Sequence, residues 1–318
     1  MSRQGCDLTG KAGWQRKVPV QIVAALCKSP PAPMVWARLG RKRLALELAF
    51  ESSTIALLIA GMALTGMIGG ILAGLLGVGG GIVIVPVLFW VLKTFQISPD
   101  HASHLAVATS LATIIPTSIS SMRAHAKRGT VDRDLLKLWG PAVFVGALIG
   151  GGLAKVVSGD ALRTIFGVVG ILVAVNMAIP KTLVISENLP SNGFVNRAIA
   201  AVIGVISSLM GIGGGTLSVP TLSAFSFPAH RAVGTAAALG FLIAVPGVAG
   251  FIYAGLGVKG LPPGSLGYVS LPAALIIAPV SYLCAPLGAR LAHALDARNL
   301  KRAFAVFLAI TAVRMLMS

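Results

Sequence analysis

Leu75-Leu76-Gly77-Val78-Gly79-Gly80-Gly81-Ile82-Val83-Ile84-Val85-Pro86 lies inside a run from Ser52 to Leu92 that carries no ionised residue. As a single helix that run would measure roughly 60 Å, twice the hydrocarbon thickness of a bilayer. The chain must therefore turn within or near the membrane. The glycines mark the place, because glycine accepts positive φ and lets another backbone come close. Pro86 follows with no amide to give, which favours a bend.

The rest of the chain agrees with a membrane reading. Of 318 residues, 56% are apolar and 11% are charged, against about 25% charged in soluble domains. Mean hydropathy is +0.88. A soluble enzyme, a disordered chain and a coiled coil are excluded, and an all-α polytopic membrane protein is expected. A charge at mid-bilayer costs about 2.5–3.5 kcal/mol on insertion scales, so charge gaps place the further spans. They fall near 103–122, 136–157, 161–179, 197–210, 214–227, 231–255, 268–289 and 301–317. The net charge of +17 sits in a basic arm over residues 1–50 and in loops that flank spans. That is topology charge, and nucleic acid is not a partner. The arm has no clear signal-peptide pattern, and is expected to be partly disordered or interfacial. Cys6, Cys27 and Cys284 have no metal-ligand spacing, so no metal and no cofactor are expected.

Leu209-Met210-Gly211-Ile212-Gly213-Gly214-Gly215-Thr216-Leu217-Ser218-Val219-Pro220 repeats the opening stretch. Downstream, Ala106-Val107-Ala108-Thr109-Ser110 matches Ala232-Val233-Gly234-Thr235-Ala236. The order is kept while the offset drifts, as in a duplicated unit with loop insertions. The organisation read from this is an arm at 1–50, a first membrane repeat at 51–180, a linker at 181–196 and a second repeat at 197–318. Loop charge bears on orientation. The loop 123–137 is basic while its counterpart 256–267 carries only Lys259, and one loop later the bias reverses, with 155–163 weakly and 290–302 strongly basic. Equivalent loops facing opposite sides imply an odd number of crossings per repeat, five each in an inverted duplication. This leaves the basic arm outside. Eight crossings, with the short legs re-entrant, bring the arm inside but put 290–302 outside.

The doubled motif, each copy followed by an Ala-Val-x-Thr element, resembles the sulfite exporter TauE/SafE family of membrane permeases over about 52–317. The resemblance implies a secondary transporter, an exporter, of small inorganic or organosulfur anions such as sulfite or sulfoacetate. It also implies an integral protein of a bacterial inner membrane that is not an enzyme. The family is described with fewer spans than ten. Whether the chain forms a homo-oligomer stays open.

A broken helix puts free amides and a positive dipole end at membrane depth, which suits an oxyanion. The expected substrate-binding residues are Gly79, Gly80, Gly81, Gly213, Gly214 and Gly215, with hydroxyls from Thr216, Ser218, Thr109, Ser110 and Thr235. Gly77, Gly211, Pro86 and Pro220 are expected hinges. Thr109, Ser110 and Thr235 have a second reading, back-bonding to a carbonyl one turn earlier. Ser207 and Ser208 are weaker candidates. All nine acids lie in the arm or near span ends, leaving His101 and His104, at the mouth of a span, as groups that titrate near neutrality. A passive anion channel through the same breaks fits the sequence equally. An enzyme does not, since no Ser-His-Asp, metal or paired-acid constellation lies in the spans.

Overall fold

In the computed structural model, which describes residues 56–75, 79–179, 186–187, 189–190, 192–291 and 297–318, helix α1 is described over Ala56–Leu75 and α2 over Gly81–Thr94, with Gly79 and Gly80 outside either helix. The arm, Gly77, part of the expected linker and the loop with Asp296 lie outside the described residues. A 3-10 turn (Pro99–His101) leads into α3 (Ala102–Ala126). Then come α4 (Arg133–Leu153), α5 (Gly159–Ala178) and α6 (Gly193–Met210). After a second break follow α7 (Gly215–Ala224) and α8 (Ala229–Gly255). A hairpin of two two-residue strands, Ser265–Leu266 against Val269–Ser270, precedes α9 (Leu271–Leu291) and α10 (Ala297–Leu316). That hairpin, turned at Gly267 with φ +53°, departs from the all-helical expectation, which began a span at 268. The protein is an integral, polytopic, helical membrane protein. Seven of its described helices are long and apolar enough to cross a bilayer, and α2 is a shorter apolar helix.

Apolar side chains point outward as well as inward. Leu172, Leu275 and Leu283 are more than 60% exposed, a surface that water would not tolerate over such an area. By contrast α3 and α8 are the centre and largely buried, while α1 and α9 are mostly exposed.

Glycine seams set the directions. Gly66, Gly70 and Gly74 of α1 abut Ile277, Ser281 and Ala285 of α9 in rising order, so the two helices run parallel. A Cβ at Gly66 would stand 2.7 Å from the Ile277 carbonyl oxygen, and only glycine permits that approach, the usual basis of helix association in lipid. Gly146 and Gly150 of α4 meet Ala201 and Val205 of α6, again in rising order and again parallel. At the centre, Leu111 and Ser118 of α3 meet Gly247 and Gly240 of α8, so this pair is antiparallel. Gly167 and Gly170 of α5 pack on Leu316 and Ala312 of α10, also antiparallel. Several outer helix ends are closed by side chains. Asp132 accepts from the amides of Asp134 and Leu135 to cap α4, Ser158 caps α5 and Asn192 caps α6, each satisfying amides the helix itself leaves open.

Candidate functional site

Helices α2 and α7 begin differently. Their N-terminal neighbours are Gly80 and Gly214, and neither helix has a side-chain cap. Gly79 and Gly80 both take φ +76°, and Gly211 ends α6 at φ +68°, conformations in which an L side chain is strained. Gly79 lies against Gly213, its own counterpart in the repeated motif, with a Cβ there only 3.0 Å from the Gly213 Cα. Gly81 packs on the Gly211 carbonyl and on Ile212. Ile114, at the midpoint of α3, touches both Gly79 and Gly81, and Gly214 packs on Ala236 and Gly240 near the midpoint of α8. The two breaks therefore meet at half-depth in the bundle. Two helix N-termini converge there, each equivalent to roughly +0.5 charge, with first-turn amides that a helix leaves open, except the Val83 N–H, which donates to the Gly80 carbonyl at 3.1 Å.

The expected hydroxyls divide into two groups. Thr216 and Ser218, in the first turn of α7, are buried and have no hydrogen-bond partner. Thr109, Ser110 and Thr235 are buried as well, but each is engaged. Ser110 Oγ donates to the Gly211 carbonyl at 2.8 Å, fastening α3 to the second break. Thr109 Oγ1 accepts the Ser270 amide at 2.9 Å, just before α9, and Thr235 Oγ1 accepts the Asp132 amide at 2.8 Å, just before α4. None of the three bonds to a carbonyl one turn back, as Thr113 and Thr117 do. Pro86 and Pro220 each occupy the sixth position of their helix, so both short legs continue through the proline.

Other unpartnered buried hydroxyls gather at these helices without having been singled out in the sequence: Ser118 and Ser121 of α3 and Ser281 of α9. Ser118 Oγ lies beside Gly240, the residue that packs on Gly214. Ser207 and Ser208, at the end of α6, are also unpartnered, and Ser208 sits between Gly150 and Gly247. The available signal was density, since α3 carries hydroxyls at 103, 109, 110, 113, 117, 118, 120 and 121. His104 stands apart from the breaks, with Nε2 2.9 Å from the Val157 carbonyl and its ring stacked 4.6 Å from Tyr268. Burial holds the Tyr268 phenol above its ordinary range, so it is protonated at neutral pH. Among the described residues no group of His, Cys, Asp or Glu could hold a metal ion.

A family profile described as "Sulfite exporter TauE/SafE" matches residues 62–315, which takes in both breaks and all the central helices. The chain belongs to the TauE/SafE family. Among curated TauE/SafE-like relatives, a probable membrane transporter protein of Haemophilus influenzae is 34% identical, covering 79% of this chain and 96% of its own length. Probable membrane transporter protein YunE of Bacillus subtilis is 32% identical over 57% of this chain and 74% of its own. Probable membrane transporter protein MJ0441 of Methanocaldococcus jannaschii is 29% identical over 86% of this chain and 99% of its own. No solved structure matches the chain. As a TauE/SafE member it is a membrane transporter.

Proposed function

We propose that this TauE/SafE member exports small sulfur oxyanions, sulfite or organosulfonates, across the inner membrane of a bacterium by alternating access around the paired glycine breaks. The observation that carries the reading is the convergence of two uncapped helix N-termini at the middle of the bundle, where Gly79 meets Gly213. Positive dipole ends and open amides suit an anion without any charged side chain. Thr216 and Ser218 add buried donors at the same place, each able to give one hydrogen bond to an oxyanion. Gly79–Gly81 and Gly213–Gly215 would supply backbone contacts, and Gly77, Gly211, Pro86 and Pro220 the hinges.

Helix directions support an inverted duplication of 51–180 and 197–318. If α1 to α5 correspond to α6 to α10, then each first helix runs parallel to the fourth helix of the other repeat. The third helices cross antiparallel, and so do the fifth, as a twofold axis in the membrane plane requires. The direct contact of the two breaks favours a carrier over an open pore. Uptake by proteoliposomes offered sulfite, sulfoacetate and thiosulfate tests the proposal. Saturable flux of at least one anion is expected, reduced about tenfold or more by Ser218→Ala or Thr216→Val, each of which removes a donor from the site at a cost of about 1.5–3 kcal/mol for a bond to a charged group. No saturable flux for any of the three would end the proposal, and an ohmic conductance would replace it with a channel.

A further inference from the structure

Four cations line one cleft at the end of the bundle where α3 and α9 finish. Arg123, Lys127 and Arg128 come from α3 and the turn after it, Arg290 from the last turn of α9, and Ser120 and Tyr282 form the floor of about 310 Å³. Three basic residues elsewhere in the bundle find acids, Lys137 on Asp134, Arg163 on Asp160 and Arg231 on Asp132, and three others lie over aromatic rings, Lys93 on Phe89, Lys155 on Tyr253 and Arg314 on Trp90. Among the described residues these four have no carboxylate partner. Arg128 is held by the Ala289 carbonyl and Ser120 by the Tyr282 carbonyl, which ties the two helices together beneath the charges.

Below Tyr282 the same helix pair continues as a second groove of about 330 Å³, lined by Pro116, Leu271, Leu275, Ala278 and Pro279. Leu275 is 72% exposed on that face. A basic head therefore passes directly into an apolar furrow facing lipid, with Tyr282 common to both. From Arg290 the helix measures about 12 Å to Tyr282, the near end of the furrow, and about 28 Å to Leu271, its far end, at 1.5 Å per residue, so the furrow begins within the near leaflet of a hydrocarbon core of ~30 Å and continues past its middle. A soluble anion would need the head alone. The combination fits one tail and the phosphodiester of a membrane lipid, guanidinium being the group that grips phosphate oxygens in pairs.

We propose that the α3/α9 cleft is a binding site for an anionic phospholipid, its phosphate held by Arg123, Lys127, Arg128 and Arg290 and its tail laid in the Pro116–Leu275 furrow. The site is independent of the central breaks. The experiment is a thermal-shift titration of the full chain in detergent, with phosphatidylglycerol, phosphatidylcholine and glycerol 3-phosphate as separate arms. Phosphatidylglycerol stabilises and the other two do not. The double variant Arg123→Gln/Arg290→Gln, both exposed side chains, weakens the half-saturating lipid fraction roughly thirtyfold. Arg133→Gln/Lys137→Gln, which removes the same charge nearby but outside the cleft, leaves it unchanged. Ala278→Phe, which fills the furrow and spares the charges, also weakens phosphatidylglycerol. Equal stabilisation by glycerol 3-phosphate would make this a soluble-anion site and overturn the proposal. So would unaltered lipid binding in the first double variant, or equal losses in both double variants.

Discussion

Replacing Gly79 by alanine tests whether the two breaks touch. Two costs act at this position and can be separated. The first is backbone strain, because φ is +76°, worth about 1–2 kcal/mol for an L residue with a Cβ. The second is contact. The new methyl would stand 3.0 Å from the Gly213 Cα and 3.1 Å from Ile114, where ordinary contact begins at 3.4 Å. One neighbour is backbone and the other a fully buried side chain, so relief requires the opposing break to move. Overpacking of this kind costs about 1–3 kcal/mol, and the total is about 2–5 kcal/mol.

Three other glycines supply the references. Gly257 and Gly129 have φ of +81° and +67° and nothing within 4 Å of a Cβ, so alanine there meets strain alone. Gly152 is helical with open space around it, and alanine should gain up to about 1 kcal/mol of helix propensity. Reversible unfolding of each variant in mixed micelles gives the comparison. Gly79→Ala should fall below Gly257→Ala and Gly129→Ala by about 1–3 kcal/mol, with Gly152→Ala at or above the parent. If Gly79→Ala matched the two strained references, the meeting of Gly79 with Gly213 would be refuted, and with it the shared central site.

Thr109→Val and Thr235→Val should each cost about 1–3 kcal/mol by stranding a buried amide, while Thr→Ser at either position retains the bond. Faster hydrogen exchange at Ser270 or Asp132, respectively, would identify the cause. Asp132→Asn keeps the α4 cap and loses only the 2.6 Å pair with the half-exposed Arg231, so its loss should stay below about 1 kcal/mol. Asp132→Ala removes the cap as well and should cost about 1 kcal/mol more, both read by thermal unfolding. Cysteines introduced singly at Lys127 and Lys259, in a chain lacking Cys6, Cys27 and Cys284, should react with an impermeant thiol reagent from opposite sides of the membrane. Labelling from one side would refute the five-plus-five inverted arrangement.

Charge made the spans legible. Ionised residues do not enter the hydrocarbon, and the described helices begin and end within a few residues of the charge gaps. The expectation of breaks rests on a related argument, since an uncharged run too long for one crossing must turn. The roles of Thr109 and Thr235 were not. Their partners lie 161 and 103 residues away in the chain, and no local pattern distinguishes a threonine that ties two repeats from one that lines a path. Ser118 and Ser281 were missed because a lone serine in a span is usually back-bonded. The hairpin at 265–270 is too short for any alternation to reveal. The parallel seam of Gly66, Gly70 and Gly74 is written at small-residue spacing, yet its partner helix depends on the tertiary arrangement.

The contacts sort the central helices into two groups that cut across the order of the chain. Glycine seams and threonine ties join α1 to α9 and α9 to α3, and likewise α6 to α4 and α4 to α8. Each group thus contains helices from both halves of the sequence, and α3 against α8 is a principal contact between them. Contacts within a group include backbone meeting backbone at the glycine seams, which resists sliding. Across the boundary Ser110 holds the Gly211 carbonyl, but at the α3/α8 crossing itself Ser118 is buried with no hydrogen-bond partner, so less is lost when that contact moves. Alternating access would then rock one group against the other at α3/α8. A Cβ at Gly240 lies 3.8 Å from the Ser118 Cβ, within the span a disulfide bridges. Ser118→Cys/Gly240→Cys, in the same cysteine-free chain, should abolish anion flux when oxidised and recover it when reduced. Ser208→Cys/Gly247→Cys, joining α6 to α8 inside one group, should leave flux little changed in either state. Undiminished flux through the oxidised Ser118/Gly240 pair would mean that the transporter moves somewhere else, and that this division of its helices has no part in the cycle.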